Sequence, residues 1–131
     1  MNRVHLNRFA LGDGLGWHHD NSEFFFNLLL QQSPSGGKFE FVPNSEGDMA
    51  KVRTALQSVV PDGFVHSEPE ELAPGGALLF CGRRSMHRVT PVADDALPRM
   101  TAILNFASEP GGGIIEEYTR RKFFGRSLQQ G

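Results

Sequence analysis

Arg99-Met100-Thr101-Ala102-Ile103-Leu104-Asn105-Phe106 is the strongest strand signal in the chain. Side chains alternate across a strand, so Arg99, Thr101, Ile103 and Asn105 share one face and Met100, Ala102, Leu104 and Phe106 the other. Working upstream, Met86 to Val92 reads as a strand, and Ala77 to Cys81 as another after the turn Pro74-Gly75-Gly76. Phe64 to Ser67 reads as a short strand and Lys38 to Val42 as a further one. Phe24 to Gln31 is a continuous apolar run rich in aromatics, a pattern that suits a strand buried on both faces. The turn Ser33-Pro34-Ser35-Gly36-Gly37 predicts a hairpin between that run and Lys38 to Val42. Val4 to Ala10 reads as the first strand, closed by Gly12-Asp13-Gly14-Leu15-Gly16. One helix is expected inside residues 44–60. Asp48 can cap it, Met49, Val52, Leu56 and Val59 approximate one face, and Pro61-Asp62-Gly63 ends it. Tyr118 to Phe124 reads as a short helical turn. Short strands separated by Gly/Pro turns predict a mainly β sandwich or barrel with one inserted helix.

Composition narrows the class of molecule. The 131 residues suit a single domain over 1–131. A net charge of −2 gives no electrostatic case for nucleic acid or an anionic membrane. The single cysteine, Cys81, excludes an internal disulfide framework or a multi-cysteine metal site and reads as a small core residue. No apolar run reaches the roughly 18 residues that span a bilayer. The first residues lack the apolar core of a signal peptide, so a cytoplasmic location is expected.

Gly16-Trp17-His18-His19-Asp20-Asn21 carries the chemistry. On a strand, His18 and Asp20 point the same way and can grip one ion, while His19 points away. A third ligand must come from His5, His66 or His87. Of these, His87 lies in the strand-like Ser85-Met86-His87-Arg88-Val89-Thr90. Two imidazoles and one carboxylate on one face form the facial triad of non-haem Fe(II) oxygenases, with open positions opposite. An H-x-D triplet by itself is common, and a surface loop with two solvated histidines would look the same. Arg99, twelve residues beyond His87, adds weight. An inward arginine beside Thr101 makes a carboxylate clamp, with two parallel charge-assisted hydrogen bonds and a hydroxyl. Alternatively, Arg99 at a strand end points to water.

The ordered set His18-x-Asp20, Gly36-Gly37, Pro74-Gly75, His87 and Arg99-x-Thr101 resembles the Fe(II)/2-oxoglutarate-dependent oxygenases. The resemblance runs from about Leu6 onward. It implies a double-stranded β-helix (jelly-roll, cupin-like), with His18, Asp20 and His87 as metal ligands and catalytic centre. It further implies that Arg99, helped by Thr101, binds the distal carboxylate of the cosubstrate 2-oxoglutarate. Asn7 and His5 share a face of the first strand and reach toward the same pocket, Asn7 as a cosubstrate contact. Asn21 and Asn105 are candidates for cosubstrate or substrate contact. Trp17 and Phe24 to Phe26 read as packing.

More finely, Leu15 to Phe24, Phe39 to Asn44, Ser85 to Val92 and the tail Thr119 to Arg126 resemble the subgroup acting on free amino acids. That subgroup holds carrier-independent halogenases and related hydroxylases. Its halogenases replace the metal-binding carboxylate with a small residue to admit halide. Asp20 therefore favours a hydroxylase of a small molecule, plausibly a free amino acid, whose charges Glu23 and Arg88 could meet. Two alternatives share the residues: a metal cupin of another reaction class, and a shortened non-catalytic domain binding metal or ligand. Related enzymes usually carry N-terminal helices that buttress the barrel. With seventeen residues before His18, the chain is expected to be a minimal catalytic core lacking that extension, with a second copy closing the exposed surface.

Overall fold

The computed structural model describes residues 4–57 and 59–108. The helical turn expected at 118–124 lies outside them. Eight strands and one helix follow in chain order: β1 (Val4–Phe9), β2 (Leu15–His18), β3 (Phe24–Gln31), β4 (Phe39–Val42), α1 (Met49–Ala55), β5 (His66–Ser67), β6 (Ala77–Phe80), β7 (Met86–Val89) and β8 (Arg99–Phe106). They build two four-stranded antiparallel sheets, ordered β1-β8-β3-β6 and β2-β7-β4-β5. Except for β4 and β5, which pair in one sheet, successive strands cross between the two sheets, which makes the fold a jelly-roll, a double-stranded β-helix.

That crossing overturns one expectation. β3 and β4 do not form a hairpin: β3 pairs with β6 and β8, and β4 with β5 and β7. The turn between them carries the chain from one sheet to the other. Gly36 and Gly37 have φ of 70° and 62° there. A side chain at Gly36 would collide with the backbone of Pro91, its Cβ falling 2.2 Å from the carbonyl oxygen. The Gly-Gly pair therefore serves a close backbone approach as well as a turn.

The two sheets enclose an aromatic core. Phe39 of β4 packs edge-on to Phe80 of β6 at 5.0 Å between ring centroids, and Phe25 of β3 lies 5.3 Å from Phe80. On its outer side, the β2-β7-β4-β5 sheet is covered by α1. Val42, Met86 and Ala55 are buried there, with Val52 and Trp17 against them. Asp48 caps α1 by accepting from the backbone N–H groups of Ala50 and Lys51, as expected. The face of the helix differs from the expected one. Met49, Leu56 and Val59 are exposed, and Ala55 makes the buried contact. The helix is only seven residues long, so Leu56 caps it and Val59 lies beyond it.

β3 also departs from its reading. Phe25, Asn27 and Leu29 are buried, whereas Phe26 and Leu30 are exposed. They join Val4, Leu6, Leu79 and Phe106 as exposed large apolar side chains on the outer face of the β1-β8-β3-β6 sheet. The inner face of the same sheet mixes the aromatic core with buried polar side chains. Arg99 and Thr101 of β8 and Asn27 of β3 are buried on it.

Candidate metal centre

His18 ends β2 and His87 lies in β7, where the two residues are register partners. Their rings stand 4.2 Å apart between centroids. His87 is packed on three sides by Phe25, Phe39 and Phe80, at 5.2 to 5.5 Å. Asp20 follows just beyond β2. It is pinned by its N–H donating to the carbonyl of Gly82 at 3.0 Å. Its Oδ1 lies 3.5 Å from His18 Nε2 and its Oδ2 lies 3.6 Å from His87 Nε2. Those distances are long for hydrogen bonds between such groups. One ligand atom from each of the three side chains falls within 4.8 Å of the others. No other such group of three occurs among the described residues.

Backbone carbonyls set the tautomers. His18 Nδ1 lies 2.8 Å from the Gly16 carbonyl, and His87 Nδ1 lies 3.0 Å from that of Ser85. A carbonyl can only accept, so each Nδ1 carries the proton and each Nε2 presents its lone pair toward Asp20. Protein-bound metals favour this support of imidazole ligands by a second hydrogen bond. Two neutral imidazoles and a carboxylate suit a divalent first-row metal such as Fe(II).

Gly82 makes room for the carboxylate. A Cβ there would lie 2.4 Å from Asp20 Oδ2. Nothing in Phe80-Cys81-Gly82-Arg83 marks that glycine in the sequence, because its purpose depends on a residue sixty-two positions upstream.

The two histidines are tuned in opposite directions. Burial pushes His87 down to about 4, and the positive His18 adds to that, against the pull of the Asp20 carboxylate. Burial also lowers His18, but the contact with Asp20, the Gly16 carbonyl and the Asp20 charge together raise it above its ordinary value. Without metal, a proton taken up here goes first to His18.

Of the remaining sequence candidates, His19 turns away from the triad and its Nε2 lies 3.2 Å from the Ser45 hydroxyl. That hydroxyl also donates to the Val42 carbonyl and accepts from the Met86 N–H. His66 stacks on Phe41 at 5.5 Å. Asn7 pairs with Thr101 in the β1–β8 register, and Thr101 is buried. Asn105 accepts from the Ser22 hydroxyl. Glu23 accepts from the Ser108 N–H and hydroxyl, which holds its carboxyl below the ordinary range. Arg88 lies on the opposite face of β7 from His87. It pairs with Glu40 at 2.6 Å and covers the Trp17 ring at 4.6 Å.

Arg99 points inward, as its strand position predicts, but it has a partner that the sequence does not advertise. Its Nη1 and Nη2 donate to the two carboxylate oxygens of Glu68 at 2.8 and 2.7 Å. Arg99 is 1% exposed and Glu68 5%. Arg99 Nε is buried with no hydrogen-bond partner among the described residues, as is Asn27 Oδ1. Glu68 stands in Ser67-Glu68-Pro69-Glu70-Glu71, which reads as a solvated acidic loop. The immediate succession to a strand is the only local sign separating Glu68 from its acidic neighbours.

Two inward histidines and an inward carboxylate on a jelly-roll make a facial-triad donor set of the kind that non-haem Fe(II) sites use. The halogenase D family model matches residues 4–112, and the chain belongs to that family. The fold is similar to that of a Pseudomonas putida prolyl-4-hydroxylase, with a TM-score of 0.54 and 17% sequence identity. That match covers 80% of this chain and 50% of the hydroxylase, so the chain spans about half the length of that relative. No curated protein shows significant sequence similarity. Among the described residues, no helix is long and apolar enough to cross a membrane.

Proposed function

We propose that the protein is an Fe(II)- and 2-oxoglutarate-dependent hydroxylase of a small molecule, with a free amino acid as the candidate substrate. The observation that carries the reading is Asp20. Its carboxylate faces both imidazoles and sits in the space that Gly82 leaves. A halogenating relative would carry a small residue at that position, and here a carboxylate takes the place of halide.

His18, Asp20 and His87 would hold the iron. Bound there with 2-oxoglutarate, iron supplies the oxidising power of the reaction. The chain contributes position and exclusion of water. The Gly16 and Ser85 carbonyls aim the imidazole lone pairs, and Phe25, Phe39 and Phe80 keep water from the buried side of His87. Arg99 and Thr101 would receive the distal carboxylate of the cosubstrate, with Asn7 beside Thr101. The buried, unpartnered Arg99 Nε–H fits an anionic ligand on that face, since a buried donor without a partner is costly.

For the substrate, an open cleft of about 480 Å³ has Glu23, Glu46, Arg83 and Arg84 in its lining, with Cys81 and Arg83 flanking Gly82 in sequence. Groups of both signs suit a zwitterion. The whole chain, 1–131, serves as one catalytic domain in this reading, with a homodimer as its assembly and the cytoplasm as its location.

The test is anaerobic loading with Fe(II), then 2-oxoglutarate decarboxylation against pooled amino acids, with products read by mass. Iron-dependent succinate and a product heavier by one oxygen are expected, and His87→Ala should abolish both. Turnover without metal would sink the proposal. A chlorine isotope pattern would turn it into a halogenase.

A further inference from the structure

We infer that Glu68 is a built-in competitor of the cosubstrate: its carboxylate occupies the Arg99 guanidinium, and 2-oxoglutarate must displace it to bind. The inference rests on the oxygenase reading and assigns to Glu68 a role in cosubstrate selection.

Three observations converge. The first is stoichiometric. Glu68 takes the end-on fork of the guanidinium with two bonds of 2.8 and 2.7 Å, which leaves the buried Nε–H as the unpartnered donor but no second charge to match a second carboxylate. A second carboxylate in the same buried space would leave one positive charge against two negative ones, which burial penalises heavily. Glu68 and the distal carboxylate of a ligand are therefore mutually exclusive.

The second is mechanical. Glu68 is attached through the weakest part of its sheet. β5 has two residues, both exposed, paired only with Glu40 and Phe41. The Glu68 N–H donates to the Phe39 carbonyl at 2.8 Å, and the chain then runs through turns from Pro69 to Gly76. Arg99, by contrast, is held in an eight-residue strand paired on both sides. When the pair separates, Glu68 is the partner that moves.

The third is energetic. Removing one member of a buried ion pair is expensive because the other charge stays behind unpaired. Exchange of one carboxylate for another avoids that loss, since the guanidinium remains paired throughout. A 2-oxo acid lacking the distal carboxylate offers no such exchange. The pair thus selects dicarboxylates. It also lowers the apparent affinity for 2-oxoglutarate by the fraction of molecules in which Glu68 has let go.

Calorimetric binding of 2-oxoglutarate to anaerobic Fe(II)-loaded protein tests this. Glu68→Gln keeps the shape and removes the charge. It should bind 2-oxoglutarate at least about tenfold more tightly than the parent chain. Equal or weaker binding by Glu68→Gln, with binding abolished in Arg99→Gln, overturns the competitor role and leaves the oxygenase reading intact. Binding to neither the parent nor Glu68→Gln, with iron bound to both, overturns the two together. A second measurement needs no variant. Amide exchange of the parent protein should speed up at Glu68 when 2-oxoglutarate is added, because the bond to Phe39 is released. Unchanged or slower exchange there, in protein saturated with 2-oxoglutarate, would also overturn the competitor role.

Discussion

Two inward-facing carboxylates of the barrel, Asp20 and Glu68, are partnered in opposite ways. Asp20 meets two neutral imidazoles at 3.5 and 3.6 Å, and about a quarter of its side chain is exposed (27%). Glu68 meets a guanidinium at 2.7 Å, with both side chains 2% exposed. The first arrangement has donors in place and loose direct contacts, so it can accept a cation without breaking anything strong. The second is complete in itself, so a ligand can enter only by substitution. Preorganisation and self-satisfaction are alternative uses of the same group. The surroundings decide which applies: an open strand end beside Gly82 for Asp20, a closed gap between sheets for Glu68.

The contrast can be broken most severely at Gly82. Gly82→Val places side-chain atoms where Asp20 Oδ2 sits and should displace the carboxylate. Metal affinity, read by competition with a chromophoric chelator, should fall at least about a hundredfold, at the upper end of what loss of ligand support costs. The Arg99–Glu68 pair should be untouched. Unchanged affinity would show that Asp20 does not ligate.

At the other end, Glu68→Gln or Arg99→Met alone should each destabilise the ligand-free protein by about 3–5 kcal/mol, as expected when a buried pair loses one partner. The double variant should recover most of that loss, because neither charge is left behind. Denaturant unfolding of the four proteins gives the coupling directly. Additive losses would mean that the two residues act independently, and would remove the energetic half of the contrast.

The smallest effect is the pH response of the metal-free triad, followed by NMR of the imidazole protons. His18 is raised in the fold, so its contribution to stability is full below about 6.5 and is lost as pH rises through its folded value. His87 is lowered to about 4, so the unfolded chain binds its proton first. Stability therefore falls as pH drops from about 6.5 toward 4. Metal binding needs both rings neutral, so affinity should decline first through His18. Titration of the two rings in the reverse order would undo the assignment.

Much of this was legible in the chain. The H-x-D triplet, the distal His87 and the alternation of Arg99 and Thr101 are local patterns. Strand periodicity puts His18, His87, Arg99 and Thr101 on definite faces, whereas Asp20 lies just beyond its strand and is placed by the bond to Gly82. The same local rule missed the topology. Ser33-Pro34-Ser35-Gly36-Gly37 looks like a hairpin turn, but a turn that changes sheets uses the same residues. The apolar Phe24–Gln31 run likewise cannot say whether its second face is covered, and Phe26 and Leu30 are exposed.

Sequence by itself determined the mainly β class, because period-two alternation is fixed by backbone geometry, and through its motif order it nominated His18, Asp20, His87 and Arg99 as site candidates. Tertiary structure alone decided the rest. Gly82 is a cradle only because Asp20 lies against it. Glu68 differs from Glu70 and Glu71 only because the end of β5 faces Arg99 across the gap between the sheets. Such pairings join residues 62 and 31 positions apart, and no local pattern encodes which partner the fold will bring.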